Sequence, residues 1–249
     1  MLAGLPGKGV CHPMQLARLI IVLIIVGFCL PLAAGATIQP LFSDNFDSDT
    51  TGLMPNGWST LTSLKTSAYY AKVIDTGEPA GNKAVDIYEQ NLAPEALSLC
   101  LWRQAATDVT SGLFTVQFDI KLQQTTAGCL ARVNGNYSGT AANNGRSWIA
   151  AINFEGNVPC APGGGSGKIS YQTQSFSQVY VLNPAGATYT ANTWYTVKIR
   201  CDVSSAVYHI YFGPRGSRLA EITPACGVPF IKNGGIGGGA PREHHPQRC

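Results

Sequence analysis

The sequence predicts an all-β protein in which two antiparallel sheets pack face to face. Residues 195–203 alternate between apolar and polar side chains, and residues 207–212 resume the alternation after a short turn at Ser204–Ala206. Because successive side chains of a strand point to opposite faces, this pattern is typical of a hairpin with one buried face. Such a hairpin needs a second sheet to cover its apolar side.

A second alternating stretch supports the same fold class. Residues 113–122, LFTVQFDIKL, place Phe114, Val116, Phe118 and Ile120 on one face. No long stretch has the 3.6-residue period of an amphipathic helix. The 28 glycines and 15 prolines supply the turns that many short strands require. The sequence therefore predicts a sandwich or barrel of roughly a dozen strands.

The other strands are predicted from apolar runs bounded by turn residues. Residues 41–46 predict a first strand, after which Trp58 is expected to return to the core. A closing strand is expected from Phe230 to Ile236. The remaining strands are predicted at residues 70–75, 83–88, 97–104, 130–134, 148–154, 168–171, 178–182 and 219–222.

The chain is expected to hold one folded domain, residues 37–236, behind an N-terminal leader. Arg18 precedes the apolar run LIIVLIIVGFCLPLAA, and Ala34-Gly35-Ala36 resembles a signal-peptidase site. This order predicts an N-terminal extension and signal peptide in residues 1–36, and an uncleaved anchor is the alternative. We therefore expect a secreted or cell-surface protein without stable membrane insertion after cleavage. Residues 237–249 lose all alternation and are interpreted as an irregular tail, the product of a truncation or a frameshift.

The charge of the chain argues against two classes of partner. The formal net charge is +3, and subtracting Lys8 and Arg18 of the leader leaves about +1. Nucleic-acid binding and adhesion to anionic membranes both need a strong basic field. The sequence predicts neither.

Two segments resemble the concanavalin A-like lectin/glucanase superfamily, in its laminin-G-like branch. One is DNFDSDTTGLMPNGW, Asp44–Trp58, and the other is NTWYTVKIRCDVSSAVYHIYFG, Asn192–Gly213. The similarity extends over about residues 41–236 and implies a two-sheet antiparallel jelly roll that binds sugar on its concave sheet or edge loops. This superfamily includes lectins, carbohydrate-binding modules, glycoside hydrolases and polysaccharide lyases, so the fold does not select an activity.

Catalytic groups are sparse. Retaining glycosidases need two carboxylates about 5 Å apart, and this superfamily usually places them on one strand at alternate positions. Asp86 and Glu89 have the wrong parity for a shared face. The Gln-x-His and Tyr-rich strands of the lyase branch have only faint counterparts, in residues 171–174 and Tyr208-His209. We interpret His209 as a residue of a polar sheet face, and catalysis is the less favoured hypothesis.

Asp44, Asp47 and Asp49 are the candidates for a structural calcium ion, the one cofactor that the sequence leaves open. The pattern Asp47-x-Asp49-x-Thr51-Gly52 resembles the start of a calcium loop. Its twelfth position is Trp58, where a bidentate carboxylate is required. The alternative, a solvated turn whose carboxylates cap the backbone, is favoured.

Sugar binding requires aromatic faces, which stack on pyranose rings, and amide or hydroxyl groups, which bond to their hydroxyls. Residues 134–148 form a long polar connector of the kind that often carries binding function. Trp58 and Trp194 are expected in the core. The predicted carbohydrate-binding residues are Trp102, Trp148, Tyr137, Tyr171, Asn144 and Arg146.

Six cysteines follow the leader, and in an exported chain they are disulfide candidates. Fifteen full pairings of six cysteines are possible, and the two candidate pairs are Cys129 with Cys160 and Cys201 with Cys226. The sequence has no Cys-x-x-Cys motif, so a zinc site is not predicted.

Taken together, these features predict a secreted, lectin-like jelly-roll protein that binds a glycan or polysaccharide without catalysing a reaction. A divergent glycoside hydrolase or polysaccharide lyase is the first alternative. A structural or adhesive surface protein is the second.

Overall fold

A computed structural model describes residues 40–60, 69–78, 82–89, 101–105, 107–134, 148–173 and 180–231. The chain divides into two compact units, residues 1–40 and 41–249. All that follows concerns the second unit, because Pro40 alone of the first lies in the described ranges. Within these ranges every regular element is a β-strand, and no helix is long and apolar enough to cross a membrane.

The all-β prediction is confirmed. The described strands are β1 (Ser59–Thr60), β2 (Tyr69–Asp75), β3 (Lys83–Glu89), β4 (Leu101–Trp102), β5 (Leu113–Lys121), β6 (Cys129–Asn134), β7 (Trp148–Phe154), β8 (Ile169–Gln172), β9 (Tyr180–Leu182), β10 (Trp194–Asp202), β11 (Val207–Pro214), β12 (Ala220–Glu221) and β13 (Val228–Pro229). All described strand pairs are antiparallel.

The predicted first strand is wrong. Residues 41–46 make no strand ladder, and Leu41 and Phe42 are exposed. Phe42 and Phe46 pack instead around the ring of Trp58, at centroid distances of 6.4 and 5.8 Å. The aromatic side chains of this segment thus pack in a local cluster and do not belong to a sheet.

The predicted hairpin forms the centre of a five-stranded sheet. Its order is β12-β11-β10-β5, and β13 also pairs with β11. In β10 and β11, Ile199 lies opposite Ile210 and Cys201 opposite Tyr208, all on the buried face. Asp202 shapes the turn, because its Oδ1 accepts hydrogen bonds from the backbone N–H groups of residues 204 and 205.

Strand β5 shows the expected alternation over its whole length. Side chains with odd numbers are exposed, and those with even numbers are half-buried. The register places Phe118 opposite Val197 and Val116 opposite Ile199, on the same face as the buried hairpin residues. The period of two in the sequence therefore gave the correct inward face of this sheet.

A second sheet has four strands in the order β6-β7-β8-β9. Its strand β7 is buried on both faces, since residues 149 to 154 are all buried and only Asn153 among them is polar. Phe154 pairs with Cys129 on one side and Ile169 on the other. These residues share one face, and the polar residues Asn153 and Ser170 share the opposite face.

The two larger sheets enclose one hydrophobic core, which gives the protein a β-sandwich-like character. The rings of Phe154 in β7 and Phe212 in β11 lie 6.0 Å apart. The hydroxyl of Tyr208 donates a hydrogen bond to the backbone carbonyl of Gln172, joining the sheets directly. Each fully buried Ile or Phe side chain is worth about 1.5–3 kcal/mol, so this shared core is the main source of stability.

Two smaller sheets complete the described structure. β1 pairs with β4, and β2 pairs with β3. The second of these is a hairpin in which Tyr70 lies opposite Tyr88 and Val73 opposite Val85. Val73 is buried, and its backbone exchanges hydrogen bonds of 2.8 Å with Gly52 and Leu53.

Neither predicted disulfide forms. Cys129, Cys201 and Cys226 are free thiols, so Cys129 does not pair with Cys160, nor Cys201 with Cys226. Cys201 points into the core, whereas Cys226 lies exposed in the turn between β12 and β13. The prediction placed the two segments near each other but could not determine which way their side chains point.

We expect iodoacetamide to modify Cys226 in the native protein and to spare Cys201 until the protein unfolds. Burial raises the pKa of the Cys201 thiol to about 12, so its reactive thiolate is scarce at mildly alkaline pH. Peptide mass mapping before and after denaturation measures this difference. A cross-linked peptide containing both cysteines would contradict it.

Candidate functional site

The predicted sugar-binding residues differ in how exposed they are, and some of them lie outside the described residues. Trp102 lies on β4 with 44% of its surface exposed. Tyr171 is only 5% exposed and belongs to the core between the sheets, so its ring offers no face to a ligand. Trp148 begins β7, but its side chain lies outside the described residues. Tyr137, Asn144 and Arg146 also lie outside them.

The neighbouring Arg103 anchors the segment that carries Trp102. Its Nη1 donates a 2.6 Å hydrogen bond to Asp44 Oδ2, which also accepts a 2.8 Å bond from Trp58 Nε1. The guanidinium lies 5.2 Å from the ring centroid of Phe42. The ion pair and the cation–π contact tie the short strand β4 to the segment of residues 42–58 in addition to its own ladder.

The exposed indole of Trp102 has polar neighbours. Ser59 lies directly opposite it in the β1–β4 pair, so the two side chains share a face. Gln104, two residues further along, is exposed. This segment therefore presents a flat aromatic surface with a hydroxyl and an amide close by in sequence or register, the combination that recognises a sugar.

Trp58 and Trp194 were expected in the core, and both lie outside it. Trp58 is half-buried in the Phe42 cluster described above. Trp194 lies on the polar face of the five-stranded sheet, where Lys121 and Arg215 approach its ring at 5.0 and 4.8 Å. The alternation expected from residue 195 onward holds, with Tyr195 inward and stacked on Phe212, so Trp194 takes the opposite face.

The three calcium candidates are engaged by protein donors. Asp44 accepts hydrogen bonds from the side chains of Arg103 and Trp58 and from the backbone N–H of Phe46, and so anchors this segment. Asp49 accepts two bonds from Asn56, at 2.7 and 3.3 Å. The described residues contain no group of three or more acidic, His or Cys side chains able to hold a metal ion.

A lysine ammonium takes the position at this turn where a cation would be expected. Lys83 Nζ donates to the backbone carbonyls of Asp47 and Asp49, at 3.0 and 2.5 Å. The backbone N–H of Lys83 also bonds to Asp47 Oδ1 at 3.2 Å. This arrangement fits the alternative of a turn capped by carboxylates, with the lysine tying it to β3.

A buried carboxylate, Glu155, organises the loop after β7. It accepts hydrogen bonds from Asn153 Nδ2 at 2.9 Å and from the hydroxyl of Ser170, which lies across on β8. The backbone N–H groups of Cys160 and Ala161 also bond to it, at 2.6 and 3.3 Å. With four donors around it, this carboxylate holds the turn of residues 159–164 against the sheet rather than serving as a catalytic base.

His209 lies half-buried on the polar face of the five-stranded sheet. Its Nδ1 is 2.5 Å from Glu221 Oε1, which also accepts a 3.3 Å bond from the hydroxyl of Thr223. The pair joins β11 to β12 at the edge of the sheet. It therefore has a clear structural role at this edge.

An aromatic pair on the β2–β3 hairpin was missed by the sequence analysis. The rings of Tyr70 and Tyr88 stack with centroids 5.2 Å apart and planes at 19°. The signal was present, because both residues lie nine positions from residue 79, in the middle of the GEPAG turn. Pairing the strands about that turn would have placed the two rings opposite each other.

The chain matches no protein-family model, and searches of curated proteins and of solved structures also find no match.

Proposed function

We propose that this protein is an exported, non-catalytic carbohydrate-binding protein with a jelly-roll fold of the concanavalin A-like kind. The proposal on the fold is supported by two antiparallel sheets that share one core. Export is supported by the basic residue, apolar run and small-residue site of the N-terminal segment. The site proposed for the glycan is the surface around Trp102.

The exposure of Trp102 is the observation that carries this proposal. An indole that is exposed on an anchored strand is available to stack on a sugar ring without rearrangement of the protein. Stacking a pyranose on the indole buries about 60 Å² of apolar surface, worth about 1.5 kcal/mol at about 25 cal/mol per Å². That corresponds to about a tenfold gain in affinity.

We expect Trp102→Ala to weaken glycan binding by about tenfold or more, for the reason just given. A glycan array identifies the bound class, and titration calorimetry with the best soluble oligosaccharide measures the change in Kd. Trp102→Phe is expected to retain part of the affinity, because a smaller ring still stacks.

The controls separate the competing functions. Leu53→Ala removes another exposed apolar side chain and should leave binding unchanged. Release of reducing ends or unsaturated uronates from polysaccharides would favour the hydrolase or lyase alternative. An empty array together with no product release would overturn the proposal and leave the structural or adhesive role.

A further inference from the structure

The β2–β3 hairpin carries a column of stacked groups on one face. Tyr70 and Tyr88 are directly opposite each other in the register, and Lys72 and Asp86 form the next pair. Directly opposite residues share a face, as do residues two apart on one strand, so all four side chains lie on the same side. The ammonium of Lys72 lies 4.2 Å from the ring centroid of Tyr70.

The stack leaves one aromatic surface open. The ring of Tyr88 packs against Tyr70, yet Tyr88 remains 41% exposed. Because one side of this ring is covered by its partner, the exposed area belongs to the other side and the edge. The stack can therefore be extended by one more flat ring on Tyr88.

Hydrogen bonding within the column makes the platform rigid. The Tyr70 hydroxyl donates to Asp86 Oδ2 at 3.0 Å, and this bond raises the pKa of Tyr70. The bond fixes the carboxylate and the ring against each other. A platform whose rings are already held in place loses little conformational entropy when a ligand stacks on it.

Asp86 lies on the same face as Tyr88 and has capacity for a further bond. It uses Oδ2 for Tyr70, and within the described structure its Oδ1 makes no hydrogen bond. The ammonium of Lys72 lies over the ring of Tyr70, so it supports the stack from that ring. An open ring with a carboxylate acceptor on the same face has the composition of a sugar-binding platform.

We propose that the open side of Tyr88 is a second glycan-binding platform, on which a neutral pyranose ring stacks beside Asp86. The inference rests on the proposed function and adds to it a site and a ligand class. The charges of Lys72 and Asp86 cancel on this face, so it carries no net attraction for an anionic sugar. A hydroxyl group of the sugar can donate a hydrogen bond to the carboxylate of Asp86.

The test uses neutral hexasaccharides of glucose, xylose and mannose, with an oligogalacturonate as the acidic counterpart. Saturation-transfer NMR and titration calorimetry on the whole chain report the binding epitope and Kd. Tyr88→Ala is expected to raise the Kd for the neutral probes by about tenfold. Tyr88→Phe, which keeps the ring, should stay within about threefold of the unchanged protein.

Two further variants keep the result unambiguous. Tyr211→Ala is the matched control, since Tyr211 is also a strand tyrosine next to a lysine, Lys198, at 5.8 Å, but lies on another sheet. It is expected to leave the Kd unchanged. Tyr88→Leu retains apolar bulk without a flat ring, so it should lose affinity like the alanine variant while its thermal unfolding stays close to normal.

The outcomes separate this inference from the proposed function. If Trp102→Ala weakens binding and Tyr88→Ala does not, the second platform is overturned and the Trp102 site stands. If the oligogalacturonate binds and the neutral probes do not, the ligand class is wrong and the inference falls. If neither the array nor these probes give binding, both proposals fall together.

Discussion

Replacing Glu155 with alanine is expected to lower the free energy of unfolding by about 3–5 kcal/mol. Asn153, Ser170 and two backbone N–H groups donate hydrogen bonds to this fully buried carboxylate. Removing the acceptor takes a partner from all four donors, although Asn153 Nδ2 keeps a 3.3 Å bond to the hydroxyl of Ser170. Each buried group left without a partner costs about 1–3 kcal/mol. Urea denaturation followed by circular dichroism measures the change.

Two comparisons test whether the effect comes from the hydrogen bonds. Asp108→Ala removes an exposed carboxylate and should change stability by less than about 0.5 kcal/mol. Glu155→Gln keeps the shape of the side chain and one carbonyl acceptor, so its loss should be smaller than that of alanine. An alanine variant as stable as the original protein would show that the network contributes nothing.

The fold of the larger sheets was predictable because local alternation and tertiary burial agree there. In β10, β11 and β5 the apolar residues recur with a period of two. Their inward side chains belong to the same core as residues of the second sheet. A period of two cannot be misassigned to a helix over nine residues. The sequence of each of these strands is therefore enough to predict which of its faces is buried.

The face of Trp194 could have been predicted from the alternation of β10. Tyr195 and Val197 belong to the apolar, inward set, so Trp194 falls on the opposite face. The missed aromatic pair has a different cause, since Tyr70 and Tyr88 are 18 residues apart and meet only through the hairpin. The register has to be derived from the turn before these two residues can be placed opposite each other.

The disulfide predictions failed, and the hydrogen-bond partners of Glu155 could not be predicted, because both depend on where a loop returns. Glu155 stands alone in the sequence, and its donors come from the turn beyond it and from β8. Likewise, Cys201 is inward on a strand while Cys226 lies in an exposed turn. Spacing along the chain contains no information about such loop paths.

Replacing Phe154 with alanine is expected to lower the free energy of unfolding by about 3–5 kcal/mol, through a cavity rather than lost hydrogen bonds. Phe154 precedes Glu155 but points the other way, into the core. Its ring meets Tyr189 edge-on at 5.4 Å and approaches Phe212 at 6.0 Å. Removing it takes one contact from Phe212 in the facing sheet and one from Tyr189 in the connection between β9 and β10.

The two neighbouring substitutions therefore probe opposite sides of the chain where β7 ends. Phe154→Leu retains much of the volume and should lose only about 1–2 kcal/mol, whereas no such rescue by size is expected at Glu155. Val158→Ala, at an exposed position, should stay within about 0.5 kcal/mol of the original protein. Should Phe154→Ala prove as mild as Val158→Ala in urea denaturation, the two sheets would not share a core, and the sandwich would have to be abandoned.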